Sequence, residues 1–507
     1  MLPAKEDVFN YEVNDAITRA GFGKFNLFIL IATGGSLMSV IMESMGMMFV
    51  IPSAECDLQL SLQRKGLLSS ASFAGMMIAS NFWGILSDVY GRRLIILISM
   101  FSTFGIGMIS SFAFNDWSLI LLRFLSGLLL GGASTVIFTY NGELHDNYHR
   151  AKMIAWMATF IAIGNMLLPS LAWLILPGKW SFTIPLLNTV HPWRLLIIAY
   201  SLPTLFFGFC IYALPETPKF LLSKGKEEAA VLVLNKCFAF NTGESSNKYC
   251  VKKLRHEEEL EENTKKEINF MYFMWTQTSQ LFIKRFLKGT VMMLFLQFGL
   301  FATSSSLFMW YPELIGRIST FEVEHPNQTF SMCEAIQNYA ERSVSISNNT
   351  MVNCTDGVKP DVFKINLLVG VFFIGLYVIL GKVINGLGKK NCLIVLCCIS
   401  ASTGFLTHWI PEALSIKIFM GLSLTSFTAI AVLNTIVVDL YPTKIRGVAG
   451  SLCFTFARIG AVLGSQLWGY SFYYMCNLSF VVYGIAHIVF IVVTIFLPSG
   501  NHKNVSC

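Results

Sequence analysis

The sequence predicts an all-α membrane protein with twelve transmembrane helices arranged as two six-helix, pseudo-symmetric bundles. Three observations predict it: an apolar composition, twelve apolar windows of helix length, and two motifs that recur at nearly one offset. Of the 507 residues, 54% are apolar and only 13% are charged, against roughly 25% charged in soluble domains. Mean hydropathy is +0.59. Such a chain cannot be a free soluble enzyme, a nucleic-acid binder, a disordered scaffold or a disulfide-stapled mini-domain.

A membrane helix needs about 20 mostly apolar residues to cross a hydrocarbon core about 30 Å thick. Windows that meet this lie near 26–50, 67–87, 94–114, 117–141, 152–176, 195–214, 287–311, 365–386, 391–410, 412–438, 447–469 and 477–497. The expected organisation follows: a cytosolic segment 1–25, a first bundle 26–214, a linker 215–286, a second bundle 287–497 and a tail 498–507. Residues 1–25 carry Glu6, Asp7, Glu12 and Asp15 and no apolar run, so no cleaved signal peptide is expected. An even number of spans puts both termini on one side. Most of the Lys and Arg, including Arg92, Arg93, Arg150, Lys389, Lys390 and the linker cations, fall on that side, which the positive-inside rule makes cytosolic. The net charge of +7 thus reflects orientation and gives no ground for a nucleic-acid partner.

Residues 317–363 form the long exoplasmic loop. Three N-x-[ST] sequons at Asn327, Asn348 and Asn353 predict glycosylation there. Cys56, Cys333, Cys354 and Cys476 face the oxidising side. Cys333 and Cys354 share the loop and are the expected pair, although four cysteines allow three connectivities.

The duplication is the most informative feature. Gly84-Ile-Leu-Ser-Asp88-Val-Tyr-Gly91-Arg92-Arg93 follows span 2, and Gly381-Lys-Val-Ile-Asn385-Gly-Leu-Gly388-Lys389-Lys390 follows span 8, at an offset of 297 residues. Glu143 to Arg150 after span 4 matches Asp439 to Arg446 after span 10 at an offset of 296. The halves therefore read as parallel repeats.

Gly-x-x-x-Asp-x-x-Gly-Arg-Arg with its echo resembles the signature of the major facilitator superfamily. Arg123-Phe-Leu-Ser-Gly127 through Gly131-Gly132 is similar to the superfamily's span-4 motif, and Pro215-Glu216-Thr-Pro218-Lys219 to a motif of sugar and organic-ion porters. Gly21 to Phe25, Met42-Glu43, Ser170 to Trp173, Trp193-Arg194 and Val438 to Pro442 resemble the synaptic vesicle glycoprotein 2 and synaptic vesicle 2-related group. The group's acidic position in span 10 is Asn434 here. The resemblance implies a secondary transporter of a small polar organic solute or organic ion, with protons as a candidate coupling ion. The alternative is a non-transporting glycoprotein that binds partners and regulates vesicle trafficking. A monomer in the plasma or a vesicle membrane is expected, in contact with lipid.

The motif implies a gate. Gly84 should permit close helix packing, and Asp88 should latch the cytosolic ends of the two halves through Arg92, Arg93, Glu143, Arg150 and Glu216, with Asn385, Asp439 and Arg446 as weaker counterparts. Charges inside spans are functional candidates because burying them in lipid is unfavourable. Glu43 is expected to bind substrate or a proton. Arg123 would tune that carboxylate or snorkel to the interface. Arg458, too deep to snorkel, would suit an anionic substrate or a paired acid, with Glu43 as its one evident intramembrane partner. Trp173, Gln297 and Asn434 are further substrate candidates, and Asn165, Ser304, Ser305, Tyr311 and Gln466 weaker ones, since such groups also link helices. No Gly-x-x-x-x-Gly-Lys-Ser/Thr or His-Glu-x-x-His motif occurs, so no ATP use, metal, cofactor or enzymatic activity is expected.

Overall fold

The structure is a computed structural model that describes residues 10–178, 182–183, 189–254, 278–326, 328–338, 359–441 and 443–498. Among these, eleven helices are long and apolar enough to cross a bilayer. Span 1 is Lys24–Ala54, followed by span 3 (Arg92–Ser111), span 4 (Asp116–Glu143), span 5 (Asn147–Ile175) and span 6 (Pro192–Ala213). Span 7 is Lys284–Glu324, followed by span 9 (Lys389–Trp409), span 10 (Ala413–Val437) and span 12 (Cys476–Phe496). Span 8 runs over Pro360–Leu387 and span 11 over Thr443–Tyr474. The twelfth, span 2, is the serine-rich helix Leu62–Tyr90 of 29 residues.

The helices form two six-helix bundles with matching neighbours. Span 3 packs on spans 4 and 6, and span 1 on spans 5 and 6; in the second half span 9 packs on spans 10 and 12, and span 7 on span 11. The seam between the halves is made by span 2 on span 11 and span 5 on span 8. Exchanging the halves converts one of these contacts into the other, which is what a pseudo-twofold axis along the membrane normal requires. Inside a bundle small residues let backbones touch. A Cβ on Gly127 of span 4 would lie 2.1 Å from the Ser72 carbonyl oxygen of span 2. Outward-facing Phe206, Phe209, Leu368, Val371, Val378 and Ile379 are exposed, an apolar surface that only lipid can solvate.

Three spans are interrupted. Span 1 breaks at Gly46, which a Cβ would drive into the Tyr200 ring at 2.6 Å. Span 10 breaks at Leu424. Span 7 carries a π-helical turn at Phe301–Ser305, a feature frequent at functional sites. Span 7 also runs far past the window ending at 311, because Glu313 and Arg317 lower the hydropathy there yet neutralise each other one turn apart.

One side of the molecule, here the linker side, carries the amino-terminal segment and the inter-bundle linker. Helix Val13–Arg19 packs on Glu227–Thr242 around Ala16, Ile17, Ala230 and Leu234, and Asn10–Tyr11 pairs in parallel with Lys253–Leu254. The far side carries the loop that holds the sequons. Asn327, Asn348 and Asn353 lie outside the described residues.

The disulfide expectation is corrected. Cys333 bonds Cys476, with Cα atoms 5.5 Å apart, so the Cys333–Cys354 pair is not formed. Residues 332–338 are helical, with Met332, Ala335 and Ile336 buried, which seats Cys333 on the start of span 12 rather than within its own loop. Cys354 lies outside the described residues, and Cys56 is also disulfide-bonded.

The repeated motif makes the same turn twice. Gly91 (φ +110°) and Gly388 (φ +84°) each end one helix and begin the next in a conformation that side chains with a Cβ avoid. Only Gly91 is also crowded, its virtual Cβ falling 2.4 Å from Glu216 Oε2. Replacement by Ala should therefore destabilise by about 1–3 kcal/mol from backbone strain at either glycine. Thermal unfolding in detergent should show Gly91→Ala melting below Gly388→Ala; equal melting temperatures would contradict the packing described.

Candidate functional site

Apart from the Lys417–Glu322 pair of spans 10 and 7, three groups of charged side chains within the spans bear on the site. The first lies inside the first bundle. Glu43 and Arg123 are both fully buried. The Arg123 guanidinium donates to Glu43 Oε2 at 3.2 Å, to Tyr200 Oη at 3.0 Å and to Ser110 Oγ. Arg123 therefore does not snorkel. Spans 1, 3, 4 and 6 converge on it, and Gly46 makes room for the Tyr200 ring. Glu43 Oε1 is buried, makes no ion pair and lies beside the Ser201 hydroxyl at Gly107. A charge-neutral pair in a low-dielectric site can accept a proton at the carboxylate oxygen that the guanidinium does not hold. Enclosed by its own bundle, Glu43 does not line the seam and does not meet Arg458. The expected Glu43–Arg458 pair is corrected.

The second group crosses the seam on the far side, and sequence reading missed it. Lys65 of span 2 is 2% exposed and sits 2.7 Å from Glu55 and 2.7 Å from Glu313 of span 7. Glu313 also takes the Arg317 guanidinium and the Tyr473 hydroxyl, the latter at 2.9 Å. Two cations and two carboxylates balance, as buried charges must. Ser69 with Ser465, and Gln466 donating to Ser70 at 3.0 Å, continue the seam between spans 2 and 11. On the other flank Met48, Asn165, Phe308, Asn366 and Phe373 line a small cavity between the halves. Both polar atoms of the Asn165 amide are buried there without partners. The available signal is Glu313 and Arg317 at helical spacing.

The third is Arg458, 9% exposed, which donates from span 11 into the first half: to the Met76 carbonyl at 3.3 Å and to Ser134 Oγ at 2.9 Å. In the second bundle Gln297 donates to Asn434 at 2.7 Å, bringing those two candidates together. Ser304 donates to Ser426, and Tyr311 reaches the Lys417 carbonyl. Trp173, 39% exposed at the far end of span 5, joins none of these groups.

On the linker side the motif residues form ion pairs within each half. Arg92 pairs with Asp88 at 2.9 Å and with Glu143 at 3.3 Å. Glu143 accepts from the Thr217 hydroxyl at 2.6 Å, and Glu216 from the backbone N–H groups of Arg93 and Thr217 at 3.1 and 2.9 Å. Burial pushes the Glu216 carboxyl above its usual range, against those hydrogen bonds. Thr217 caps the helix Pro218–Ser223, which fixes the Pro-Glu-Thr-Pro segment under span 3. Arg150 caps span 4 at the Gly142 carbonyl (2.8 Å). In the second half Lys389 pairs with Asp439 at 2.6 Å, the counterpart of Arg92–Glu143. The side chains of Asn385 and Arg446 lie outside the described ones.

The expected latch between halves is thus absent on the linker side among the described residues. Asp88, 69% exposed, bonds only within its own bundle, and a Cβ on Gly84 or Gly381 would meet nothing within 4 Å. Among the described residues, the bonds that cross the seam lie from the membrane midplane to the far side.

Comparison with known proteins agrees with this architecture. The chain is 28% identical over 337 residues to synaptic vesicle glycoprotein 2C of Rattus norvegicus, covering 63% of this chain and 46% of that protein. It is 28% identical over 335 residues to synaptic vesicle glycoprotein 2A of Homo sapiens, covering 62% and 45%. The chain thus matches less than half the length of these relatives. In fold it is similar to the inward-open xylose transporter XylE from E. coli, with TM-score 0.65 and 17% identity, covering 95% of this chain and 98% of that one. Residues 32–332 match the family model of the Major Facilitator Superfamily. Signature turns, paired bundles and family match agree: the chain belongs to the Major Facilitator Superfamily.

Proposed function

We propose that the protein is a secondary transporter of a small polar organic solute that works by alternating access, with the linker side cytosolic. The observation that carries this reading is the asymmetry of its ion pairs. A buried, charge-balanced network joins the halves on the far side, while the linker-side pairs stay within each half. That is the pattern of a rocking machine closed outward and open inward. When the linker side closes, Asp88, Arg92, Arg93, Glu143 and Glu216 offer the charged surface that the second half meets, and Asp439 with Lys389 its counterpart. Glu43 is the proton site: protonation at Oε1 weakens its hold on Arg123, and through Tyr200 this reaches the break in span 1. Coupling to the solute follows if that break moves with the seam.

The test is uptake by purified protein in liposomes with an imposed proton gradient. Glu43→Gln should reduce gradient-driven uptake to the level seen without a gradient; a fully retained gradient response would remove Glu43 from coupling. A folded protein that carries no solute and never alternates would instead leave the partner-binding reading.

The far-side network supplies a second prediction. Removing one partner from a buried ion set costs about 3–5 kcal/mol, so Lys65→Met should release the outward closure. A cysteine at Met48 should then react with a membrane-impermeant thiol reagent from the far side. Lys417→Met, whose partner Glu322 is 45% exposed, should leave that labelling unchanged, because half-exposed pairs contribute about 1 kcal/mol or less. Equal labelling in both variants would contradict the assignment.

A further inference from the structure

We infer that Arg458 is the counter-charge for a carboxylate on the transported solute, so that the cargo is a small organic anion; this rests on the transporter reading above. Three features of the structure lead there.

Arg458 is the middle residue of a helix of 32 residues, about 23 Å from either end at 1.5 Å per residue, so its head group cannot reach water at a membrane surface. It bridges the two halves, because both of its bonds, to the Met76 carbonyl and the Ser134 hydroxyl, are made to the first bundle. A solute held there touches both bodies that must move.

Charge balance provides the second feature. Glu43 neutralises Arg123, Lys65 and Arg317 are matched by Glu55 and Glu313, and Lys417 is matched by Glu322. Arg458 alone among these buried cations has only neutral acceptors. The helices that meet around it offer no acid at its depth. Span 11 contains no Asp or Glu. The acids of spans 2 and 4 are Asp88, Asp116 and Glu143, all at helix ends and already paired with Arg92 or Arg64. A guanidinium at the membrane midplane without a carboxylate is a strongly unfavourable arrangement, and it persists where a ligand completes it.

The third feature is unused capacity. A guanidinium has five N–H donors in a planar fork suited to a carboxylate, and two are engaged with protein among the described residues. Arg458 also keeps 9% of its surface accessible, whereas Arg123, which has its carboxylate, keeps none. A purely structural strut between the halves would need only the two bonds it makes.

Uptake of lactate, succinate, tetraethylammonium and glucose by the full chain in liposomes tests this, together with thermal stabilisation of the detergent-solubilised protein by each. Wild type should take up and be stabilised by a carboxylate, and not by tetraethylammonium or glucose. Arg458→Gln should lose at least about 30-fold in apparent carboxylate affinity. Arg458→Lys should keep the anion preference but bind about tenfold more weakly, since an ammonium lacks the bidentate fork. A strut role would lower stability in both variants without changing which solute is selected. Uptake of glucose or tetraethylammonium in place of carboxylates, or undiminished carboxylate uptake by Arg458→Gln, would overturn the anion assignment while leaving transport intact. Uptake of none of the four probes overturns the anion assignment as well. If Lys65→Met then also fails to open the far side, the transport reading falls with it.

Discussion

A charge buried away from water must be matched, and in this protein one of the two carboxylates that match Lys65 sits on the other half of the molecule. That constraint organises the far side. Lys65 leaves span 2 between Glu55 and Glu313, Arg317 balances the second carboxylate, and Tyr473 satisfies one more lone pair. If the halves part, only the Lys65–Glu313 contact breaks; Lys65 keeps Glu55 and Glu313 keeps Arg317, so each half stays charge-balanced. Because the set is neutral as a whole, it can hold a closed state without making that state irreversible. A desolvated ion network gains little net stability over an apolar contact, yet it strongly penalises half-open geometries. Such a contact suits a gate better than a permanent joint.

The two halves share a construction that the seam then breaks. Gly91 and Gly388 turn the chain between helices, and Arg92–Glu143 and Lys389–Asp439 tie the start of the third helix to the end of the fourth in each bundle. From there the halves diverge. The first buries an ion pair, Glu43–Arg123, where the second has the neutral cluster of Ser304, Ser426 and Tyr483. Asn385 stands where the first half has Asp88. The first bundle carries the titratable chemistry; the second contributes Arg458 and the Gln297–Asn434 pair.

The fold was largely legible because its signals are physical requirements of a bilayer: apolar runs of fixed length and glycines where a turn needs positive φ. Pairings over long sequence distances were not. Arg123 could be read as snorkelling because its distance from the helix start allowed it; only the convergence of spans 1, 3 and 6 shows that it is enclosed. Glu43 and Arg458 looked like mutual partners because both are deep and opposite in charge, but depth says nothing about which face of a helix a residue occupies relative to a different bundle. Lys65 and Glu313 were invisible for a related reason. Each lowers the hydropathy at a window edge, so each reads as loop. Cys333 likewise chose a partner 143 residues away rather than the cysteine in its own loop, because a short buried helix fixes where it lies.

The central claim is that the halves rock about the seam and that the Lys65 network sets which side is closed. Spin labels at Phe114 and Trp409 report the far side, and labels at Tyr148 and Leu387 the linker side; all four residues are exposed. Distances measured in the intact chain and in Lys65→Met test the claim directly. The far-side pair should separate as the linker-side pair draws together. If both distances stay unchanged, or both lengthen together, the halves do not rock about this seam and the network is not its gate.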